Sequence, residues 1–178
     1  MGHFYFTRHG ESVWNIENKI CGSTDIALTE KGRSQAVKLG EKILEEKFDI
    51  SEIICSPLIR AKETAEEISK MTGIPCRVED RITEQCFGRF EATPRNGKEF
   101  AEFKTHFAES FNGGESMMRV AQRIYNVIDE ICSQDDKVYL IVAHNGIARV
   151  VQSYFYDMTN EEYSKFGIKN CEILRYDY

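Results

Sequence analysis

Basic and imidazole side chains follow three apolar segments of this sequence. Arg8, His9 and Gly10 come directly after "FYFT", Arg60 lies four residues beyond "EIICS", and "HNG" (144–146) follows "VYLIVA". Arginine presents a fork of N–H donors that matches the oxygens of a phosphate group. A neutral imidazole can attack phosphorus and divide one difficult displacement into two easier ones. Together these residues predict a site that binds and transfers a phosphoryl group.

Each of these residues also has an ordinary structural explanation when it is taken alone. An isolated Arg-His-Gly is a surface turn, His144 is a hydrogen-bonded core histidine, and Arg60 is a solvated helix residue. These separate explanations do not account for the placement of all three groups at the ends of strands. Because ligands of open α/β sheets bind beyond the carboxyl ends of the strands, we expect the three segments to meet at one crevice.

The hydrophobic pattern indicates the elements that position these residues. Strands alternate with helices, and the continuous apolar run "VYLIVA" is typical of a strand covered on both faces. We therefore predict an α/β fold, a three-layer α/β/α sandwich with a mostly parallel central sheet. The predicted strands are 3–8, 52–56, 75–79, 137–144 and 171–178, and the predicted helices are 30–47 capped by Thr29, 57–72 beginning at Pro57, 97–109, 116–133 and one beginning near Asn145.

Residues 1–178 are expected to form a single domain in which residues 80–115 are an insertion that covers the site as a lid. Four phenylalanines at helical spacing and a methionine pair are expected to pack in the core, although some of the aromatic rings could instead roof the substrate pocket. These residues are Phe100, Phe103, Phe107, Phe111, Met117 and Met118.

Composition excludes several classes of function. The net charge of -6 argues against a nucleic-acid binder, because affinity for the phosphate backbone comes from clustered Lys and Arg. No run of 18 apolar residues or signal peptide is visible, so we predict no membrane span and a cytoplasmic location. The six cysteines show no metal-ligand spacing; they are expected to be reduced thiols rather than three disulfides.

Three blocks of the sequence resemble the histidine phosphatase superfamily, the phosphoglycerate mutase-like branch with an RHG motif. They are "RHGESVWNIENKICGSTDIALTEKG" (8–32), "SPLIRAKETA" (56–65) and "VAHNG" (142–146). The resemblance follows the chain order and implies that His9 is a nucleophile forming a phosphohistidine. Arg8, Arg60 and His144 would complete the phosphate pocket, and Glu84 in "RITEQCFG" matches the proton donor. Positions that match substrate-binding residues are Ser12, Asn15, Cys21, Gly22, Asn145 and Gly146.

These residue types can carry out the chemistry that the resemblance implies. The guanidiniums are expected to keep His9 unprotonated and to stabilise charge on the phosphoryl oxygens, and His144 would add to this if it were protonated. Glu84 would protonate the leaving oxygen and then activate water; Glu11 and Glu91 are competing carboxylates. No metal is expected.

Departures from the family pattern bear on the reaction. The first block is mutase-like, but the segment after Glu84 is short, and "FGRFEATPRNG" and "NGGES" resemble small phosphatases of the family. A short lid admits water, so we favour a phosphomonoesterase acting on a small phosphorylated metabolite, as a monomer or homodimer. The alternatives are a mutase, for which 2,3-bisphosphoglycerate would be the cofactor, and a catalytically silent phospho-ligand binding protein. Candidate contacts for a second anionic group are Arg89, Arg95 and Lys98.

Overall fold

The computed structural model describes residues 2–134 and 136–178. Short 3₁₀ helices lie at Asp80–Ile82 and Gly88–Phe90. In chain order the elements are β1 (His3–Arg8), α1 (Val13–Ile16), α2 (Glu30–Glu45), β2 (Glu52–Cys55), α3 (Ile59–Thr72), β3 (Cys76–Val78), α4 (Lys98–Phe103), α5 (Met117–Cys132), β4 (Tyr139–Ala143), α6 (Asn145–Phe155), α7 (Asn160–Lys165) and β5 (Ile173–Asp177).

The strands form a sheet of order β3-β2-β4-β1-β5. β2 pairs in parallel with β3 and β4, β1 pairs in parallel with β4, and β5 joins β1 in antiparallel orientation at the edge. β4 therefore lies at the centre, which explains why all of its residues are buried. The predicted mostly parallel sheet is confirmed.

Alternate residues of each strand enter two separate hydrophobic cores, because successive side chains of a strand point to opposite faces. Phe4 and Phe6 pack with α5 and α6, whereas Tyr5 packs with α2 and α3. The same alternation holds in β4, where Ile141 joins the first core and Leu140 the second. The helices thus form layers on both faces of the sheet, as the α/β/α prediction requires.

Capping residues explain where several helices begin and end. The Thr29 hydroxyl accepts a hydrogen bond from the Gly32 amide at 3.0 Å, and Gly73, with φ of +75°, ends α3 in the left-handed conformation. Pro57 is not the first residue of α3, contrary to the prediction. That helix begins at Ile59, whose amide donates to Asp25 Oδ1 at 2.6 Å. A side chain distant in sequence thus sets the helix start.

The segment 80–115 differs from its prediction in the extent of its helix, which ends at Phe103 rather than at residue 109. Phe100, Phe103 and Phe111 join a third hydrophobic cluster with Ile20, Phe87 and Phe90, so they converge from several short elements rather than from one helix face. Phe107 lies instead against Tyr163, at 5.8 Å between ring centroids. Whether this segment acts as a lid stays a prediction.

Two further differences concern the surface. Met117 packs against the first core, but the Met118 side chain is 63% exposed, so its predicted burial is wrong. Helix α7 was not predicted, although Thr159 and Glu162 cap each other's backbone amides in the S/T-x-x-E pattern that is readable in sequence. No disulfide joins the described cysteines, and their reduced state stays a prediction. Among the described residues, no helix is long and apolar enough to cross a bilayer.

Candidate active site

The carboxyl ends of β1, β2 and β4 bring the predicted residues together. Arg8 lies opposite Ala143 in the register of β1 and β4, and the His9 amide donates to the Ala143 carbonyl at 3.0 Å, which extends the ladder by one residue. The His9 and His144 rings consequently lie 5.3 Å apart between centroids. Ser56 directly follows β2, and its hydroxyl lies 2.7 Å from His144 Nε2.

The hydrogen bonding of His9 fixes which ring nitrogen carries a lone pair. Nδ1 lies 2.6 Å from the Gly10 carbonyl oxygen, which can only accept, so Nδ1 carries the hydrogen. In the neutral ring, Nε2 is then left with its lone pair. Burial lowers the pKa of His9 well below its usual range, and the charges of Arg60 and Arg8 lower it further. The side chain is therefore held as a neutral imidazole.

In the ligand-free protein His144 is also held neutral, so the condition under which it would supply positive charge is not met there. The residue is fully buried; burial, followed by the charge of Arg60, lowers its pKa well below the usual range. Its Nε2 is hydrogen-bonded to the Ser56 hydroxyl, which fixes the orientation of the ring. Its Nδ1 is buried without a partner among the described residues.

Arg60 is buried and Arg8 is half-buried, and neither forms an ion pair with the residues that the structure describes. Arg60 is fully buried and donates to the carbonyl oxygens of Thr24 and Gly22, at 2.9 and 2.7 Å. Arg8 donates to the Ile168 carbonyl at 3.0 Å, and burial, then the charge of Arg95, lowers its pKa to about 10. A buried charge without a counter-ion is costly. These guanidiniums therefore favour the binding of an anion.

Four buried side-chain atoms have no hydrogen-bond partner among the described residues. They are Arg8 Nε, Ser12 Oγ, Arg60 Nε and His144 Nδ1, all of them on predicted site residues. Buried polar atoms are otherwise almost always satisfied in proteins. A tetrahedral oxyanion accepts hydrogen bonds from all its oxygens, which matches the donors on these side chains.

Glu84 is buried beside this group at the N-terminus of α6. Its Oε2 accepts from the Gly146 amide at 3.0 Å and its Oε1 from the Gln85 amide at 2.9 Å. A Cβ added at Gly146 would lie 2.3 Å from Glu84 Oε1, so glycine is needed for the carboxylate to approach. Sequence reasoning assigned Gly146 and the start of α6 to the ligand. In the structure that amide holds Glu84.

The competing carboxylates make different contacts. Glu91 accepts from the amides of Gly22, Ser23 and Phe87 and from the Thr24 hydroxyl, at 2.8–3.1 Å. It therefore organises the loop that supplies the carbonyl acceptors of Arg60. Glu11 lies on the other side of the RHG turn, where Oε2 pairs with the Lys31 ammonium at 2.8 Å.

A cavity of about 170 Å³ opens in front of His9. Four predicted residues, Arg60, His144, Ser12 and Gly22, are buried outside its wall and do not line it. The predicted residues in the wall are Arg8, His9, Asn15, Cys21, Glu84, Asn145 and Gly146. A larger cavity of about 370 Å³ lies between α5, α6 and α7, but no His, Arg or Lys lines it, so it offers nothing to a phosphoryl group.

Comparison with known proteins identifies the family. The model of the histidine phosphatase superfamily (branch 1) matches residues 4–178. The chain belongs to this superfamily. It is 31% identical over 182 residues to the "probable phosphoglycerate mutase GpmB" of Erwinia tasmaniensis, covering 98% of this chain and 84% of that protein.

Two solved structures show the same fold as this superfamily member. A mycobacterial glucosyl-3-phosphoglycerate phosphatase superposes with a TM-score of 0.83 at 24% identity, over 98% of this chain and 89% of that chain. The alpha-ribazole phosphatase of Shigella flexneri gives 0.82 at 22% identity, over 98% and 90%. The predicted family, fold and class of protein, an enzyme of the histidine phosphatase superfamily, are confirmed.

Sequence reasoning missed several residues of this histidine phosphatase site. The Asn170 amide group donates to the His9 carbonyl at 2.8 Å and lies 3.4 Å from Asn15 Oδ1; no local pattern marks it, because it reaches the site through the turn before β5. Lys104 and Arg149 line the cavity. Arg149 could have been found, since it lies one helical turn after Asn145 on the same face of α6.

We expect inorganic phosphate to stabilise the protein, because it would offset the buried charges of Arg8 and Arg60. At a concentration about 100 times Kd the gain is about 2.7 kcal/mol. That corresponds to a Tm increase of roughly 5–10 °C for a chain of this size. Thermal denaturation in phosphate, compared with chloride at equal ionic strength, measures this effect. Identical Tm values in the two salts would contradict the anion site.

The lowered pKa of His9 predicts that its ring stays neutral at pH values where an unperturbed histidine, with a pKa of about 6.5, is half protonated. A proton binds only when the pH falls further. NMR titration of the His9 ring in the phosphate-free protein should give a midpoint below 6.5. A midpoint at or above that value would remove the basis for a neutral nucleophile.

Proposed function

We propose that the protein is a metal-independent phosphomonoesterase that hydrolyses a small phosphorylated metabolite through a phosphohistidine on His9. The observation that carries this proposal is the fixed tautomer of His9, which leaves the Nε2 lone pair free on a ring that lies near the buried Arg60 guanidinium and the half-buried Arg8 guanidinium. A cavity of about 170 Å³ is below the usual range of about 300–1,000 Å³ for drug-sized ligands, which supports a small substrate.

In the first step, His9 Nε2 attacks phosphorus while the ester P–O bond breaks. Arg8 and Arg60, with the Ser12 hydroxyl, stabilise the charge on the non-reacting phosphoryl oxygens. Their unpartnered buried atoms support these roles. Asn15 positions Ser12, since its Oδ1 accepts from the Ser12 amide at 3.0 Å.

Glu84 protonates the leaving oxygen in this proposal. It is the carboxyl group in the cavity wall, while Glu91 is engaged by four donors and Glu11 by Lys31. A phosphate dianion beside a carboxyl group favours its protonated form. In the second step, Glu84 takes a proton from water, whose oxygen attacks phosphorus as the N–P bond breaks and the lone pair returns to Nε2.

Cys21 lines the cavity and does not act as a second nucleophile in this proposal. Burial raises the pKa of its thiol to about 11, so the thiolate is scarce near neutral pH. Asn145 fixes the neighbouring loop, because its Oδ1 accepts from the Ile168 amide at 2.9 Å. Gly22 acts through its carbonyl oxygen, which holds Arg60.

Hydrolysis and phosphoryl transfer to a second substrate share the first step. The second candidate function is therefore a mutase that uses 2,3-bisphosphoglycerate, and the similarity to a phosphoglycerate mutase supports it. Supplying 3-phosphoglycerate with catalytic 2,3-bisphosphoglycerate separates the two. We expect phosphate release to exceed formation of 2-phosphoglycerate, because a short segment after Glu84, if it is the lid, would admit water to the phosphohistidine. Faster isomerisation would establish the mutase. Absence of both products, and of phosphate release from an aryl phosphate, would leave a phospho-ligand binding protein.

Monomeric or dimeric assembly and cytoplasmic location stay predictions. Gel filtration with light scattering decides the first, and fractionation of cells expressing the chain decides the second.

A further inference from the structure

Two cysteines lie side by side on neighbouring strands, outside the wall of the cavity. Cys55 is the last residue of β2 and Cys76 the first residue of β3, and their Sγ atoms lie 3.7 Å apart. Among the described cysteines this is the one hydrogen bond between two thiols. Because a disulfide bond is about 2.05 Å long, the two sulfur atoms need to approach each other by roughly 1.7 Å to form one.

The strand register places both side chains on the same face of the sheet. Cys76 lies opposite Ile53 and Cys55 opposite Val78, so the cysteines are diagonal neighbours in the second core. Strands about 4.8 Å apart, with a rise of about 3.3 Å per residue, place the Cα atoms of such neighbours about 8 Å apart. Disulfides usually join Cα atoms that are about 4.4–6.8 Å apart. Closing this bond must therefore shift the two strands relative to each other.

The two thiols differ in exposure and in acidity. Cys76 is half-buried on β3, which lies at the edge of the sheet, whereas Cys55 is buried. The Cys55 thiol donates its hydrogen bond to Cys76 Sγ, which lowers the pKa of Cys76 and raises the pKa of Cys55. The thiolate is the form that attacks a disulfide. Cys76 is therefore the thiol that meets an oxidant first, and Cys55 lies in position to attack Cys76 Sγ afterwards.

The end of β2 connects this thiol pair to the candidate active site. Ser56 follows Cys55, and its hydroxyl lies 2.7 Å from His144 Nε2. The Ser56 hydroxyl also accepts from the Leu58 amide at 3.3 Å, and the Ser56 amide donates to the Val142 carbonyl at 3.1 Å. A shift of the Cys55 backbone therefore reaches the His144 ring through one peptide unit and one hydrogen bond.

We propose that Cys55 and Cys76 are a modification site, a dithiol that low-molecular-weight disulfides oxidise to an intramolecular disulfide, and that this bond weakens phosphate binding by displacing Ser56. Formation of the bond is independent of the proposed function. Its effect on phosphate rests on that function, because it assumes that the anion binds beside His144.

The oxidation proceeds in two exchange steps. The Cys76 thiolate attacks an oxidant RSSR, which forms a Cys76–SR mixed disulfide and releases RS⁻. Cys55 then gives its proton to solvent, and its sulfur attacks Cys76 Sγ as the bond to SR breaks and the second RS⁻ leaves. Two protein thiols are thus oxidised and one RSSR is reduced to two thiols.

Peptide mapping after equilibration with glutathione tests the bond in the full-length protein. Free thiols are blocked by alkylation before digestion. We expect a linked Cys55–Cys76 peptide in an excess of oxidised glutathione and its loss in an excess of reduced glutathione, because strained disulfides are reduced readily. Absence of the linked peptide, or glutathione that stays on Cys76 as a lasting mixed disulfide, would overturn the proposal.

Three serine substitutions test the order of attack. Cys55→Ser should trap glutathione on Cys76, since the second thiol is missing. Cys76→Ser should leave Cys55 unmodified, because that thiol is buried. Cys132→Ser removes a half-buried thiol at the end of α5 and is the matched control, in which the bond should form as in the unmodified protein. Glutathione on Cys55 in the Cys76→Ser variant would show that Cys76 is not the first thiol.

Calorimetry with inorganic phosphate measures the effect on the pocket. The linked protein, confirmed by its mass to carry no glutathione, should bind phosphate with a Kd at least about threefold higher than the reduced protein, the size expected for loss of one hydrogen bond. Cys76→Ser should bind phosphate equally before and after the same treatment. Equal phosphate affinity of the reduced and linked proteins would overturn the coupling alone. Absence of phosphate binding in both would overturn the coupling and the phosphate pocket together, and the peptide map would still decide the disulfide.

Discussion

Replacement of His9 by alanine is expected to lower phosphate release from an aryl phosphate by at least about 1,000-fold, since loss of a covalent nucleophile removes the whole reaction path. The neighbouring groups offer no substitute. His144 Nε2 is engaged with the Ser56 hydroxyl, and the Cys21 thiol is held protonated by its burial. Steady-state kinetics with an aryl phosphate measure the loss.

The control for this substitution is His3→Ala, at the opposite end of β1, where the ring lies 3.0 Å from Asp49 Oδ1. It should retain activity within about threefold, because it lies far from the strand end that carries the site. If His9→Ala kept more than a few per cent of the activity, His9 would not be the nucleophile.

Glu84→Gln is expected to lower the rate most for esters whose leaving oxygen must be protonated as it departs. Alkyl phosphates should lose about 100- to 10,000-fold, the usual contribution of a general acid. Aryl phosphates should lose far less in the first step, because a phenolate leaves without protonation. Rates of phosphohistidine formation, measured before the steady state with both classes of ester, give this comparison.

Two carboxylates serve as controls for Glu84. Glu91→Gln should lower both rates by a similar factor, because Glu91 holds the loop whose carbonyl groups bind Arg60. Glu11→Gln should change neither rate substantially, since Glu11 pairs with Lys31 away from the cavity. Equal losses for alkyl and aryl esters in Glu84→Gln would show that Glu84 is not the acid.

The strand-end residues were predictable because their placement follows from local pattern and a rule of sheet topology. A strand that ends at Arg8 and one that ends at Ala143 are parallel neighbours, so His9 and His144 must meet. The two layers of helices were predictable for a similar reason, since the continuous apolar run of β4 indicates a strand covered on both faces and the helices have apolar faces to cover it.

Features that depend on contacts between distant segments were not predictable. The start of α3 is set by Asp25, and the amide of Gly146 binds Glu84 rather than a ligand. Asn170 and Lys104 enter the site through turns without a periodic pattern. Burial, which holds His144 neutral, is likewise a property of the assembled fold.

Trapping of the phosphoryl group tests the central claim most directly. Rapid quenching of the protein with a radiolabelled aryl phosphate in base, followed by peptide mapping, should place an acid-labile, base-stable label on His9. The label should form and decay at rates that match turnover. A label on another residue, or phosphate release without any labelled protein, would contradict a phosphohistidine mechanism.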